Sequence, residues 1–228
     1  MADLELLNVQ NHARLRAIKR LPTPHFVQIV PTEFAAAAAS RPIVLTKDQA
    51  TGRFYAGAIS GFGADENLIA EPATSDTFEP LDLVRQGFFI SPDGIAIMPT
   101  HPRFGSAGDL LFDEDGQPGD LVRHMQRVLG QLKLGVSQSE AFIAALLDHK
   151  LIEPMDVSLH FDDGEKLRLE GLYTVSLDTL HDLDDNAALE LFRQGHLQLI
   201  YTMVGSLKQI PVLAERRNRR LAAGTANG

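Results

Sequence analysis

The spacing of apolar positions changes near residue 120, and the change divides the chain. Upstream, apolar residues fall in short runs. Phe26-Val27-Gln28-Ile29-Val30 predicts a strand closed by Pro31. Ile43-Val44-Leu45 and Phe54 to Ile59 predict paired strands around a turn at Asp48 to Gly52. Phe88-Phe89-Ile90 and Ile95 to Met98 flank the turn sequence Ser91-Pro92-Asp93-Gly94. Asn67 to Ala70 predicts a short strand, and Leu81 to Arg85 one helical turn. Thr32 is placed to cap a helix that starts at Glu33, runs through the alanines at 35–39 and ends before Pro42. Residues 71–80 and 99–119 read as loops on their prolines and glycines.

From Asp120 the period is helical. Met125, Val128, Leu129 and Leu132 share one face at i, i+3, i+4, i+7. Gly135 suits the left-handed position after a helix, and Ser137-Gln138-Ser139-Glu140 reads as the capping box of a second helix. That helix carries Phe142, Ile143, Leu146 and Leu147 inward and stops before Pro154. A hairpin follows. Val157, Leu159 and Phe161 alternate with polar residues, as do Leu167, Leu169, Tyr173 and Val175. A two-residue turn at Asp163-Gly164 would set Phe161 opposite Lys166. A three-residue loop, Asp162-Asp163-Gly164, instead pairs Leu159 with Leu167 and Val157 with Leu169. The hydrophobic register selects the longer loop, with Gly164 left-handed. Asp184 or Asp185 then caps a helix holding Leu189 and Phe192, Gly195 breaks it, and a final helix groups Ile200, Met203, Val204 and Leu207. Hairpins interleaved with helices predict an α+β fold with a largely antiparallel sheet. The expected boundaries are an N-terminal arm at 1–24, one α+β domain at 25–215 and a basic, flexible tail at 216–228.

Composition adds exclusions. At 228 residues and 44% hydrophobic, the chain can bury a core without staples. It has no cysteine, so disulfides, thiolate metal sites and a cysteine nucleophile are excluded, and a reducing compartment fits. Charged residues interrupt positions 1–24, so a cleaved secretory signal is not expected. No stretch approaches the roughly 18 apolar residues of a membrane span. The net charge of −9 argues against a general nucleic-acid binder. Basic residues nonetheless gather at 216–220, where Arg216, Arg217, Arg219 and Arg220 could dock an acidic partner.

Chemical motifs are sparse. Asp113-Glu114-Asp115-Gly116 resembles part of a calcium loop, but the matching register puts Leu111 and Val122 at ligand positions, so it reads as an acidic turn. There is no G-x-S-x-G elbow and no G-x-G-x-x-G loop. Ser206 follows Gly205 on a predicted helix, where its hydroxyl would bond a backbone carbonyl. The eight histidines are scattered, and no pair shares a helix face at i, i+4. His101 shares the proline-stiffened loop Thr100-His101-Pro102-Arg103 with an arginine and is a candidate ligand contact. Glu66-Asn67 follows a glycine-rich loop. Asn67 is either a turn residue with its side chain on the backbone or a ligand contact.

An ordered series of residues carries a resemblance. It comprises His12 with Leu15 and Arg16, Glu33-Phe34, Pro42-Ile43-Val44, Glu66-Asn67-Leu68, Pro80, Phe88-Phe89 and Leu111-Phe112-Asp113 with Gly116. It continues with Gly171-Leu172-Tyr173, Gly195-His196-Leu197, Ile200-Tyr201 and Ser206-Leu207. In this order the chain resembles the SapC-like family from about residue 8 to 215. Two features depart from the family pattern: no tryptophan precedes Pro80, and Gly87 stands where a proline usually precedes the phenylalanine. The family takes its name from S-layer secretion. Its members are often encoded beside tryptophan-halogenase-like flavoproteins, cupin-like proteins and TonB-dependent receptors. The resemblance therefore implies an accessory protein with a protein partner or small ligand, no cofactor and no catalytic residues to carry over. The expected role is soluble, cytoplasmic and non-catalytic. An enzyme or metal-dependent ligand binder using His12, Glu33, Asn67 or His101 is the alternative, and the family-like polar residues His12, Glu33 and Asn67 are expected to converge.

Overall fold

The computed structural model describes residues 4–19, 21–64, 66–69 and 78–225. The expected strand end at Ala70, most of the loop at 71–80 and the last three residues of the tail lie outside them. In chain order the first elements are β1 (Glu5–Leu6), α1 (Val9–His12), β2 (Arg16–Ala17), β3 (Phe26–Gln28), α2 (Phe34–Ala38), β4 (Ile43–Lys47) and β5 (Phe54–Ile59). Next come α3 (Leu81–Val84), β6 (Phe88–Ser91), β7 (Gly94–Ile97), β8 (Phe104–Gly105), β9 (Asp109–Leu110) and α4 (Asp120–Asp148). The last are β10 (Ile152–Pro154), β11 (Val157–His160), β12 (Lys166–Leu169), β13 (Leu172–Val175), α5 (Leu177–His181), α6 (Asp185–Arg193), α7 (His196–Ser206) and α8 (Gln209–Thr225). Every strand pairing among the described residues is antiparallel, so the fold is α+β as the hairpins predict.

The chain divides into two compact units. One comprises residues 1–23 and 79–134, the other 24–78 and 135–228. This differs from the expected arm, single domain and tail. Two-residue strands recruit the N-terminal segment into its unit: β1 pairs with β7, and β2 lies between β8 and β9. Strands this short leave no periodic signal, so the pattern alone reads the segment as an arm. The core of this unit joins Ala17, Phe88 and Ile97 to Leu111, Met125 and Leu129.

In the other unit five strands run in the order β10-β13-β4-β5-β3. Its core packs Ile43, Leu45 and Val175 from the sheet against Phe142 and Leu146 of α4 and against Ile200 and Met203 of α7. Ser206 joins α7 to the sheet. Its hydroxyl accepts from the Ile43 amide at 2.8 Å and donates to the Met203 carbonyl at 2.6 Å, so the expected carbonyl bond is present. The β11–β12 hairpin has the register the hydrophobic pattern selects, with Leu159 opposite Leu167 and Val157 opposite Leu169. Gly164 closes its loop at φ +87°. Tyr173 and Val175 belong instead to β13, paired with β10 and β4.

Three local expectations are corrected. Gly135 does not end a helix, because α4 is continuous for 29 residues. A Cβ at Gly135 would stand 2.5 Å from Val30 Cγ2, so the glycine serves close packing within the helix. Thr32 is not the cap of α2. It lies inside a 3-10 turn, Pro31–Glu33, and the Glu33 carboxylate reaches back to accept from the Val30 amide at 2.9 Å. Residues 209–225 are helical, so the expected flexible tail is instead α8 as far as Thr225.

Candidate functional site

A cleft of about 790 Å³ lies in the second unit. Four segments border it: the turn into α2 (Pro31, Thr32, Phe34), the last turns of α4 (Ala141, Ala145, Asp148), the end of α6 (Glu190, Gln194) and the start of α7 (His196, Leu199). Small side chains make the room. Ala35 on α2 and Ala141, Ala144 and Ala145 on α4 all line it. The chain enters α7 through Gly195, held at φ +76°, after Asp184 caps α6 by accepting from the Ala187 amide at 3.0 Å.

His196 opens α7 and is only 7% exposed. Its ring meets Phe142 edge-to-face at 5.6 Å, and Phe142 meets Phe34 the same way at 5.9 Å. This aromatic series backs the cleft. Burial holds the His196 pKa below the ordinary 6.5, and the nearby Glu190 charge opposes that shift more weakly. The ring is thus neutral at pH 7. Its Nδ1 is enclosed with no hydrogen-bond partner. On the rim, the Gln194 amide donates to Glu190 at 3.0 Å, and the Thr202 hydroxyl donates to the Gln198 carbonyl at 2.7 Å.

The residues expected from sequence lie elsewhere. None of His12, Glu33, Asn67 and His101 lines this cleft, and local bonds engage each of them. His12, buried, sets Nε2 3.2 Å from Glu5 Oε2 and Nδ1 against the Asn8 backbone. Glu33 holds its turn. Asn67 accepts from the Ile69 amide at 2.9 Å, which is the turn-making role. His101 accepts from the Arg103 amide at 3.1 Å, and burial together with the Arg103 charge lowers its pKa. Arg103 is 1% exposed. It turns inward and donates to the carbonyls of Val84, Gln86 and Lys19 at 2.5, 2.8 and 3.2 Å.

The basic cluster is also engaged within the chain. Arg217 lies 4.2 Å over the Phe161 ring, pairs with Glu165 at 2.6 Å and reaches Glu66 at 3.6 Å. Arg216 and Arg220 donate to the carbonyls of Leu68 and Asn67, and Arg219 approaches Glu215 at 3.9 Å. Among the described residues no three His, Asp or Glu side chains group as metal ligands. No described helix is long and apolar enough to cross a membrane.

The family model for SapC matches residues 7–213. The chain belongs to the SapC family. No curated protein and no solved structure matches it. For this SapC-family chain the ordered residues quoted above were informative about kinship, because they lie within the matched span. His196 belongs to that series through Gly195-His196-Leu197, but nothing in its spacing marks it as a cleft residue. Its ring partner Phe142 is 54 positions away, and Phe34, which packs on Phe142, is 162 positions away, so only packing brings the series together.

Proposed function

We propose that this SapC-family chain is a non-catalytic accessory protein that holds a small organic ligand in the cleft bordered by α2, α4, α6 and α7. One observation carries the reading: His196 lines the cleft, is more than nine-tenths buried and has a ring nitrogen without a partner. An unsatisfied buried polar atom costs stability, and each one in a native protein calls for an explanation, a functional role being one. The cleft volume falls within the roughly 300–1,000 Å³ of ligand sites, and polar groups surround an apolar floor in the arrangement such sites have. The Thr202 hydroxyl donates to the Gln198 carbonyl, an ordinary bond within a helix, so it is not set up as a nucleophile.

A thermal-shift screen of organic ligands tests this role. A ligand at a hundredfold its Kd should stabilise the fold by about 2.7 kcal/mol. Ala141→Trp, at an exposed position lining the cleft, should abolish the shift. Shifts that survive unchanged in Ala141→Trp, or no shift with any ligand, would overturn the reading.

A protein partner is the second reading, favoured by Phe192 and Leu189 on α6, which are 68% and 42% exposed. The halogenase-like flavoproteins and cupin-like proteins encoded beside family members are the partners to try, in a pulldown comparing the parent with Phe192→Ser. A cytoplasmic setting belongs to both readings and is checked by cell fractionation.

A further inference from the structure

Resting on the ligand-cleft reading, we propose that the occupant is an organic cation, an amine joined to an apolar body. The side chains that line the cleft include two carboxylates, Asp148 and Glu190, two imidazoles, His149 and His196, and no lysine or arginine. Backbone dipoles do not reverse this. Two helical starts, at Pro31 and His196, and two helical ends, at Asp148 and at Gln194 after α6, line the cleft, so their partial charges are equal in number and opposite in sign. Side-chain charge therefore decides the sign. An anion would meet two like charges with no lysine or arginine among the lining side chains to pair with, and that disfavours carboxylates and phosphates.

The remaining groups suit the same ligand. His196 is held neutral by burial. A neutral imidazole keeps one ring nitrogen as an acceptor, and that nitrogen can take a hydrogen bond from an ammonium. Gln194 orients Glu190 through its 3.0 Å bond, which places a carboxylate beside the start of α7. Phe34, Leu199 and the alanines offer the apolar contact for the body of the ligand.

The test is a titration of the full chain with phenethylamine, 2-phenylethanol and phenylacetate at pH 7.5. These probes share a body and differ in charge. The His196 ring resonances report occupancy, and Ala141→Trp checks the location. The amine should bind about threefold to tenfold tighter than the alcohol, as expected for one or two exposed ion pairs, and phenylacetate should bind weakest. In the double variant Asp148→Asn/Glu190→Gln, whose two positions are exposed, the amine's advantage should vanish while alcohol binding persists. Equal binding of amine and alcohol, tighter binding of phenylacetate, or an advantage that survives the double variant would overturn the cation inference and leave the cleft reading in place. If none of the three probes perturbs His196 in the parent chain, the cleft reading falls with it.

Discussion

At Gly164 a positive φ of +87° meets open space, because no atom lies within 4 Å of where a Cβ would stand. Any penalty for a larger residue there comes from the backbone alone. Gly164→Val should destabilise by about 1–2 kcal/mol, the cost of a strained left-handed residue, and Gly164→Asn by less. The urea midpoints of the two variants check this. Met203 is the opposite case, fully enclosed beside Ile200 and Phe142. Met203→Ala should cost about 2–5 kcal/mol through the cavity it leaves. Tyr201→Ala, two residues away but 53% exposed, should stay within about 0.5 kcal/mol. Equal losses at the two positions would contradict the assignment of the buried face.

Helix α4 shows how an element can contradict its own local signals. Gly135 and the capping-box residues after it predict two helices, yet the chain stays helical from Asp120 to Asp148. Ser139 donates its hydroxyl to the Gly135 carbonyl at 2.9 Å, which an uninterrupted helix permits. On propensity alone Gly135→Ala should stabilise α4 by about 1 kcal/mol. The contact with Val30 reverses the expected sign, since the new Cβ would collide with a β-branched side chain. Gly135→Ala should therefore destabilise. In the Val30→Ala background the same change should be neutral or favourable, with a coupling of about 0.5–3 kcal/mol in a double-mutant cycle. An additive cycle would mean that the glycine is not there for packing.

Across the whole molecule, His101 in one unit and His196 in the other share a pH dependence. Burial lowers both pKa values below 6.5, so the unfolded chain takes up protons first. Stability is full above about pH 6.5 and falls as the pH drops from there to the folded-state values. The melting temperature should therefore decline from pH 7.5 to 5.5, and a His101→Asn/His196→Gln variant should show a flatter profile. An unchanged slope would remove both histidines from the account. The sequence by itself determined what short-range patterns encode: the α+β class, the β4–β5 and β6–β7 hairpins, the β11–β12 register and the burial of Ile200 and Met203 on α7, while Val204 and Leu207 are only half-buried. Each follows from a period of 2 or 3.6 and a turn whose residues the backbone demands. Its ordered residues also carried the SapC kinship. Only the tertiary structure decided the rest. It drew residues 5–6 and 16–17 into strands too short to show a period, kept α4 whole through Gly135, and folded Arg216, Arg217 and Arg220 back onto their own chain. It also made the cleft, because His196, Phe142 and Phe34 meet through contacts between residues far apart in sequence, which no local window contains.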